Sequence, residues 1–118
     1  MTYVDGFVLP IPKKNVKAYL SMARLGCKVW REHGALDYHE CVGDDLDIGM
    51  GTTFPRGIRC KRGETIVFAW IVYRSRAHRD RVTAKVMRDP RIAEMSGKRM
   101  PFDMKRMMMG GFRTLVEM

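Results

Sequence analysis

The chain has 118 residues, of which 46% are hydrophobic, and this is enough to build one core in a single domain over residues 1–118. Its aliphatic and aromatic content excludes an intrinsically disordered chain, and its longest apolar run, residues 66–73, is too short for a membrane span, which needs about 20 residues. The 22 Lys and Arg side chains against 13 Asp and Glu give a net charge of +9, and this surplus lies in residues 59–118 because residues 1–58 are balanced.

The first half of the chain is predicted to form a strand, a helix and a second strand. Residues 3–9, YVDGFVL, are rich in β-formers and run into prolines, which lack the N–H groups that a β-ladder needs. Asn15 offers a side-chain cap for a helix whose apolar stripe, which includes Tyr19 and Trp30, is expected to end before Gly34. Residues 36–42, LDYHECV, alternate as a second strand does, and the polar, glycine-rich stretch that follows is either a long loop or a bent strand extension.

The second half of the chain is predicted to form a strand, a helix and a last strand. Residues 65–73, TIVFAWIVY, are apolar at both odd and even positions, which is typical of a central strand covered on both faces. Ser75 caps a helix over residues 76–88, which Asp89-Pro90 ends. After an irregular stretch, the last strand is expected at residues 107–116, interrupted by two glycines.

This order of elements predicts an α+β fold. β-α-β-β-α-β is the ferredoxin-like pattern, and right-handed crossovers place its antiparallel strands in the spatial order 4-1-3-2 with both helices on one face. The helices cover only one of the two apolar faces of residues 65–73. Stacking the other face against the same face of a second copy would bury it, so we expect a face-to-face homodimer.

Several longer strings of residues resemble the YbaA-like family of small bacterial proteins. They are YVDGFVLP at 3–10, EHGALDYHECVGDD at 32–45, FPRG at 54–57, ETIVFAWIVYRSRAHRDRV at 64–82, and MPFDMKRM with GGF at 100–107 and 110–112. The resemblance covers essentially the whole chain and implies a dimeric α+β barrel. It implies no activity, because the family is a domain of unknown function without established catalytic residues. Met104 and Met109 depart from the family pattern, where a small residue and an aromatic residue are expected, and both changes bear on pocket size.

The wider fold superfamily is similar in shape to several enzyme classes. These include antibiotic-biosynthesis and haem-degrading monooxygenases, muconolactone isomerases and dye-decolourising peroxidases, so oxygenase or isomerase chemistry is an analogy of fold alone. Haem-degrading members use a helix histidine, a strand tryptophan and a first-strand asparagine. The corresponding residue types here are His78, Trp70 and Asp5. Because an acid replaces the asparagine and a lone helix histidine usually faces solvent or caps the helix, we expect no cofactor.

Asp5 is the most informative single residue, because it shares a strand face with aromatic and aliphatic side chains. A buried carboxylate needs a partner, or its pKa rises until it becomes neutral. Asp5 is therefore either a proton-handling acid in an aromatic-walled pocket or a structural carboxylate tied to an arginine such as Arg106 or to the backbone of a second copy. Glu40 on the second strand is the second candidate catalytic acid.

The candidate ligand-binding residues surround these two acids. Trp70 lies on the strand adjacent to that of Asp5, and Tyr38 shares a strand face with Glu40. The full candidate set is Asp5 and Glu40 as catalytic residues, with Trp70, Tyr38, Arg106 and His78 as ligand contacts. No metal site is expected, since His39 and Cys41 have no third ligand at a suitable spacing.

The sequence leaves three functions open. The first is a cytoplasmic homodimer that binds or transforms a small apolar or aromatic metabolite. The second is a nucleic-acid-associated protein that uses the basic residues 74–88, which either contact phosphates or form a solvated helix face. The third is a non-catalytic structural or interaction module. The cytoplasmic location is expected because no signal peptide is visible and the three cysteines suggest no disulfide framework.

Overall fold

The computed structural model describes residues 1–118 and contains four strands and four helices. The strands are β1 (Tyr3–Pro12), β2 (Asp37–Val42), β3 (Glu64–Tyr73) and β4 (Met108–Arg113). The helices are α1 (Val16–Glu32), α2 (Phe54–Gly57), α3 (Arg76–Met87) and α4 (Pro90–Ser96), with single 3₁₀ turns at Lys13–Asn15 and Met104–Arg106. None of the helices has the length and apolar character that crossing a membrane requires.

The four strands form one antiparallel sheet in the order β2-β3-β1-β4. The α+β class and this strand order are as predicted from the sequence. Asp5 of β1 pairs with Ile71 of β3 and Gly111 of β4, which fixes the register of the three strands that carry the candidate site.

The core lies between one face of the sheet and helices α1, α3 and α4. Two clusters of buried side chains fill it: Leu9, Ile11 and Val67 in one, and Val29, Ile71, Tyr73, Val82, Val86 and Ile92 in the other. The strand residues among them occupy odd-numbered positions, because side chains alternate between the faces of a sheet. Odd-numbered residues of β1 and β3 therefore face the helices, and even-numbered residues face the other side.

Strand β1 continues three residues beyond the expected end. It runs through Pro10 and ends at Pro12 without losing any hydrogen bond of the sheet. The next residue, Lys13, donates its N–H to the Gly63 carbonyl on the β3 side at 2.9 Å. Because successive backbone nitrogens of a strand point to opposite sides, the nitrogens of Pro10 and Pro12 point to the β4 side. The pairing with β4 stops at Val8, and prolines are tolerated on an unpaired edge.

Helix α4 replaces part of the stretch that was expected to be irregular. The sequence Asp89-Pro90 starts this helix as well as ending α3. The Asp89 carboxylate accepts a hydrogen bond from the Arg91 N–H at 2.9 Å, and Pro90 takes the first helical position, where no N–H is needed. Strand β4 is shorter than the predicted 107–116, and the glycine-rich segment 43–63 contains the short helix α2.

Candidate functional site

A cavity of about 290 Å³ lies on the helix-facing side of the sheet. Of the 22 residues that line it, 17 are hydrophobic, and both candidate catalytic acids, Asp5 and Glu40, are among the rest. Methionine is the commonest lining residue: Met22, Met87, Met95, Met100, Met104, Met107 and Met109. The unbranched thioether side chain packs adaptably, so a methionine-lined wall accommodates ligands of different shape. The lining includes both positions that depart from the family pattern.

Glu40 is held by two tyrosine hydroxyls at the cavity wall. The Tyr38 hydroxyl donates to Glu40 Oε2 at 2.7 Å, and the Tyr19 hydroxyl on α1 donates to Glu40 Oε1. Burial, reinforced by the negative charge of Glu40, raises the pKa of both phenols well above the usual range, so both keep their protons and act as donors. Neither Lys nor Arg lies within 4.0 Å of the Glu40 carboxylate.

Gly26 of α1 makes this arrangement possible. A Cβ atom at that position would lie 2.8 Å from the Tyr38 hydroxyl oxygen, which is closer than real Cβ contacts. The absence of a side chain lets helix α1 approach β2 closely enough for Tyr19 to reach Glu40. The close approach at this glycine is therefore made by the Tyr38 side chain.

Asp5 is buried and paired with an arginine from α3. Its Oδ1 atom lies 2.6 Å from Nη1 of Arg79, and the Tyr73 hydroxyl faces the same carboxyl group. Trp30 Nε1–H donates to the Tyr73 hydroxyl at 3.2 Å, which extends the polar network to α1. Burial raises the pKa of the Asp5 carboxyl, and the positive charge of Arg79 opposes that rise. Burial and the nearby Asp5 raise the pKa of Tyr73 to about 12.

Trp70 does not share a pocket with Asp5, which corrects the expectation from the sequence. It pairs with Gly6 and lies on the opposite face of the sheet, because Asp5 pairs with the next residue, Ile71. Its ring stacks on His39 of β2 with a centroid distance of 4.7 Å.

Arg106 does not pair with Asp5 either. Its guanidinium binds Glu64 at 2.7 and 3.0 Å and the Arg59 carbonyl at 2.9 Å, and hydrogen bonding to Arg106 lowers the pKa of Glu64. The reason is position along the sheet. Glu64 opens β3 opposite Pro12 at the far end of β1 from Asp5, and the turn that carries Arg106 lies at that end.

His78 lies outside the cavity and serves the start of α3. It is buried, its Nδ1 atom accepts a hydrogen bond from the Arg74 N–H at 3.0 Å, and its ring packs edge-on against Tyr73. Burial and the charges of Arg74 and Arg81 lower its pKa and so disfavour the protonated imidazole. Of the two roles expected for a lone helix histidine, solvent-facing or capping, His78 has the second, and it does not line the cavity as a ligand contact.

The sequence analysis missed four residues of the polar network: Tyr19, Trp30, Tyr73 and Arg79. The first two carried a signal, since both belong to the apolar stripe that predicted the buried face of α1. Arg79 carried none, because it is one of several arginines in residues 74–88. Besides Asp5, Arg79 binds Asp80 at 2.8 Å, and its guanidinium lies 5.1 Å above the Tyr3 ring. Its positive charge is therefore already paired within the fold.

Comparisons with known proteins give a family but no activity. Residues 2–104 match the family model described as "Protein of unknown function (DUF1428)". The chain is 41% identical over 117 residues, or 99% of both chains, to "Uncharacterized protein YbaA" from Escherichia coli K12 and to the protein of that name from Shigella flexneri. Among solved structures it is similar to "De novo designed protein Foldit4", with a TM-score of 0.52 at 11% identity, covering 98% of this chain and 100% of that one. That likeness shows the fold alone. On its sequence, the chain belongs to the DUF1428 family of proteins of unknown function, which includes YbaA.

Proposed function

We propose that this protein binds a small apolar or aromatic molecule in the methionine-lined cavity. The observation that carries the proposal is Glu40, a carboxylate that only hydroxyl groups hold, in the wall of an otherwise largely apolar cavity. Such cavities with a few convergent polar groups are typical of small-molecule sites. Because Arg79 already neutralises Asp5, Asp5 serves mainly to position the network around it.

Glu40 is the group best placed to act on a bound molecule. A carboxylate with no cationic partner accepts a proton from a ligand more readily than one tied to an arginine. The two tyrosine hydroxyls fix its orientation by donating to both carboxylate oxygens. Isomerase-like or oxygenase-like proton abstraction without a dedicated cofactor is the chemistry that this group would support, by analogy of fold.

A cavity-filling variant tests the binding proposal. Ala23 of α1 lines the cavity, so Ala23→Leu is expected to fill part of it and to abolish the melting-temperature increase that an apolar or aromatic ligand gives the native protein. Ala84→Leu on the exposed side of α3 adds the same atoms outside the cavity and should leave the increase intact. A screen of aliphatic and aromatic compounds by thermal shift measures both.

Two outcomes would contradict the proposal. If no compound raises the melting temperature of the native protein, the chain is better described as a structural or interaction module. If Ala23→Leu responds to ligands as the native protein does, binding occurs elsewhere. Where a ligand is found, Glu40→Gln should retain binding and lose any turnover, because the amide keeps an acceptor oxygen and cannot take up the proton.

We also propose that two copies associate through the face of the sheet turned away from the helices, forming the ferredoxin-like, dimeric α+β barrel that the family resemblance implies. We call this surface the outer face, and it consists mainly of Val4, Val8, Phe68, Trp70, Met108 and Phe112. Phe68, Met108 and Phe112 are 42%, 60% and 62% exposed, which leaves large apolar side chains in water. Apart from Glu64, which opens β3 and pairs with Arg106, the charged or titratable groups on this side lie on edge strand β2. Because the other strand positions on this side are apolar from Val4 to Val8 and from Phe68 to Val72, a second copy of the same surface is a suitable partner.

The nucleic-acid alternative rests on the cations of α3 and the residues before it. Arg74, Arg76 and Arg81 are exposed and have no carboxylate within 4.0 Å, so they are free to contact phosphates. If they do, Arg76→Gln with Arg81→Gln should weaken RNA or DNA binding at low salt. No band shift of either nucleic acid at low salt would exclude this alternative. Arg79 is unsuitable for the test, because its loss would disturb Asp5.

A further inference from the structure

A second, larger depression adjoins the methionine-lined cavity. It has a volume of about 970 Å³ and opens at the end of the sheet where β1 ends and β3 begins. Met22, Met95, Met100, Phe102 and Met104 line both spaces, so these side chains alone form the boundary between them. A molecule that enters the apolar cavity from this side must pass through the depression.

The depression differs from the cavity in charge. It is lined by five cationic side chains, Lys14, Lys61, Lys98, Arg99 and Arg106, against two acidic ones, Glu64 and Asp103. Arg106 and Glu64 pair with each other, and Asp103 caps the following turn by accepting from the Lys105 N–H at 3.0 Å.

The remaining cations lack strong partners. Lys14, Lys61 and Arg99 have no carboxylate within 4.0 Å, and all three are exposed. Lys98 has only the exposed Glu94 at 3.9 Å. The mouth of the apolar cavity therefore carries unpaired positive charge.

The unpaired carboxylate inside the cavity sets the direction in which a charged ligand would lie. Glu40 lines the inner space with only hydroxyl partners, so an anionic group placed there would meet like charge in a poorly solvated site. The same anionic group at the mouth would meet cations in water. An anionic ligand is thus stable with its charge outside and its apolar part inside.

From this arrangement we infer that the ligand is an anionic amphiphile: an aliphatic or aromatic group, which enters the methionine-lined cavity, joined to a carboxylate or phosphate, which lies against Lys14, Lys61 and Arg99. This inference rests on the proposed binding function and adds the charge and orientation of the ligand. Carboxylate and phosphate share the chemistry that these side chains recognise, and the experiment separates them.

The experiment measures dissociation constants for octanoate, octyl phosphate and neutral 1-octanol by calorimetry. We expect the two anions to bind at least about tenfold more tightly than the alcohol at an ionic strength of about 0.01 M. The preference should shrink when the ionic strength is raised to about 1 M, because the screening length falls from about 30 Å to about 3 Å. Tighter binding of octyl phosphate than of octanoate would identify phosphate as the preferred group.

Matched triple variants locate the charge effect. Lys14→Gln, Lys61→Gln and Arg99→Gln together should remove the preference for the anions and leave the affinity for 1-octanol unchanged. The control variant combines Lys17→Gln, Arg24→Gln and Lys28→Gln, which remove the same types of charge from exposed positions of α1 outside both spaces. It has the same net charge as the first variant, and it should still bind the two anions more tightly than 1-octanol.

The possible results separate this inference from the proposal beneath it. Equal binding of all three probes overturns the inference and leaves the cavity as a site for neutral ligands. A preference for the anions that survives in the Lys14, Lys61 and Arg99 variant also overturns it, because the anionic group of the ligand then binds elsewhere. If none of the probes binds, and the thermal-shift screen is also negative, the proposed function itself fails and the inference fails with it.

Discussion

The pair of Asp5 and Arg79 shows how one residue from an exposed-looking basic helix supports the centre of the sheet. The Asp5 and Arg79 side chains are 10% and 22% exposed and their charged atoms lie 2.6 Å apart. Removing one partner of a largely buried pair leaves the other charge desolvated. We therefore expect Arg79→Ala to lower the free energy of unfolding by about 2–3 kcal/mol, somewhat less than for a fully buried pair because Arg79 retains some contact with water. Urea denaturation measures this change.

A neighbouring arginine and a double variant serve as controls. Arg81→Ala removes an exposed arginine without a carboxylate partner and should change the stability by less than about 0.5 kcal/mol. Adding Asp5→Asn to Arg79→Ala should recover part of the lost stability, since the amide carries no charge to desolvate. Equal losses in Arg79→Ala and Arg81→Ala would show that the pair contributes nothing.

His78 predicts a specific dependence of stability on pH. Its pKa is lowered in the folded state, so between that value and about 6.5 the unfolded chain binds more protons than the folded protein. Stability then rises with pH in this window, and it falls on acidification below about pH 6.5 by at most about 1.4 kcal/mol per pH unit. Denaturation between about pH 7.5 and about pH 5.5 measures the slope.

Two glutamine variants assign that slope to His78. His78→Gln removes the titrating group and keeps an acceptor for the Arg74 N–H, so the slope should flatten. His39→Gln alters an exposed histidine on the outer face and should keep the slope of the native protein. A slope that is unchanged in His78→Gln would mean that another group is responsible.

At the scale of single residues, the sequence was a better guide to which residue types are buried than to the partners that these residues take. The position of Asp5 among apolar residues indicated a buried carboxylate that needs a partner, and the structure confirms its burial. The expected arginine, Arg106, was wrong, because the pairing depends on how α3 lies across the sheet and on the position of Arg106 along it. Neither quantity is encoded in the local spacing of residues.

At the scale of elements, the contact between α1 and β2 depends on Gly26. In an exposed helix Gly26→Ala would stabilise by up to about 1 kcal/mol through helix propensity. Here the new methyl group would meet the Tyr38 hydroxyl at 2.8 Å, so we expect a loss of about 1 kcal/mol or more in the native background. Thermal or urea denaturation measures the sign.

The same substitution in a Tyr38→Phe background should reverse sign. Removing the hydroxyl leaves the ring carbon 3.7 Å away, an ordinary contact, so the gain in helix propensity appears. Gly57→Ala in α2 has nothing within 4 Å of its new methyl group and should not destabilise. If Gly26→Ala stabilises the native protein, helix α1 can shift away from β2 at little cost.

Elements with a strong hydrophobic pattern were predicted well, and elements defined by their ends were not. Residues 65–73 of the predicted strand are nine of the ten residues of β3, because a run of apolar residues bounded by polar ones leaves little choice. Helix α4 was missed because Asp89-Pro90 is both a terminator of one helix and a good start for the next. The extension of β1 was missed because it depends on where β4 begins.

For the whole molecule, the proposed homodimer gives a direct prediction. Phe112→Asp places a charge in the middle of the apolar surface that a second copy would cover, where desolvation is costly. Sedimentation should show a species of twice the chain mass for the native protein and the single chain for Phe112→Asp. Ile48→Asp, which replaces an exposed apolar residue in the segment between β2 and β3, should sediment as the native protein does.

A native protein that sediments as a single chain at all concentrations tested would contradict this prediction. An unchanged dimer in Phe112→Asp would place the interface elsewhere. Far-ultraviolet circular dichroism of each variant confirms that the substitution acts on association and leaves the fold intact, since Phe112 is 62% exposed in the single chain.

The overall arrangement was predicted from the sequence, but the site was predicted only in part. The order of strands follows from the order of elements and the handedness of crossovers. Asp5, Glu40 and Tyr38 do line one cavity, whereas Trp70 lies on the other face. The difference is one residue of register, and a shift of one residue reverses the face of every side chain in a strand.

The prolines of β1 also bear on how this sheet behaves in a concentrated solution. Beyond Val8 the strand has no neighbour on the β4 side, and Pro10 and Pro12 offer no N–H groups there to an incoming chain. An intermolecular strand therefore cannot extend the sheet along that stretch, as proline on an edge is known to prevent. Neither of the two edge strands, β2 (Asp37–Val42) and β4 (Met108–Arg113), contains a proline, so fibrillar self-association of this protein would begin at one of these two edges.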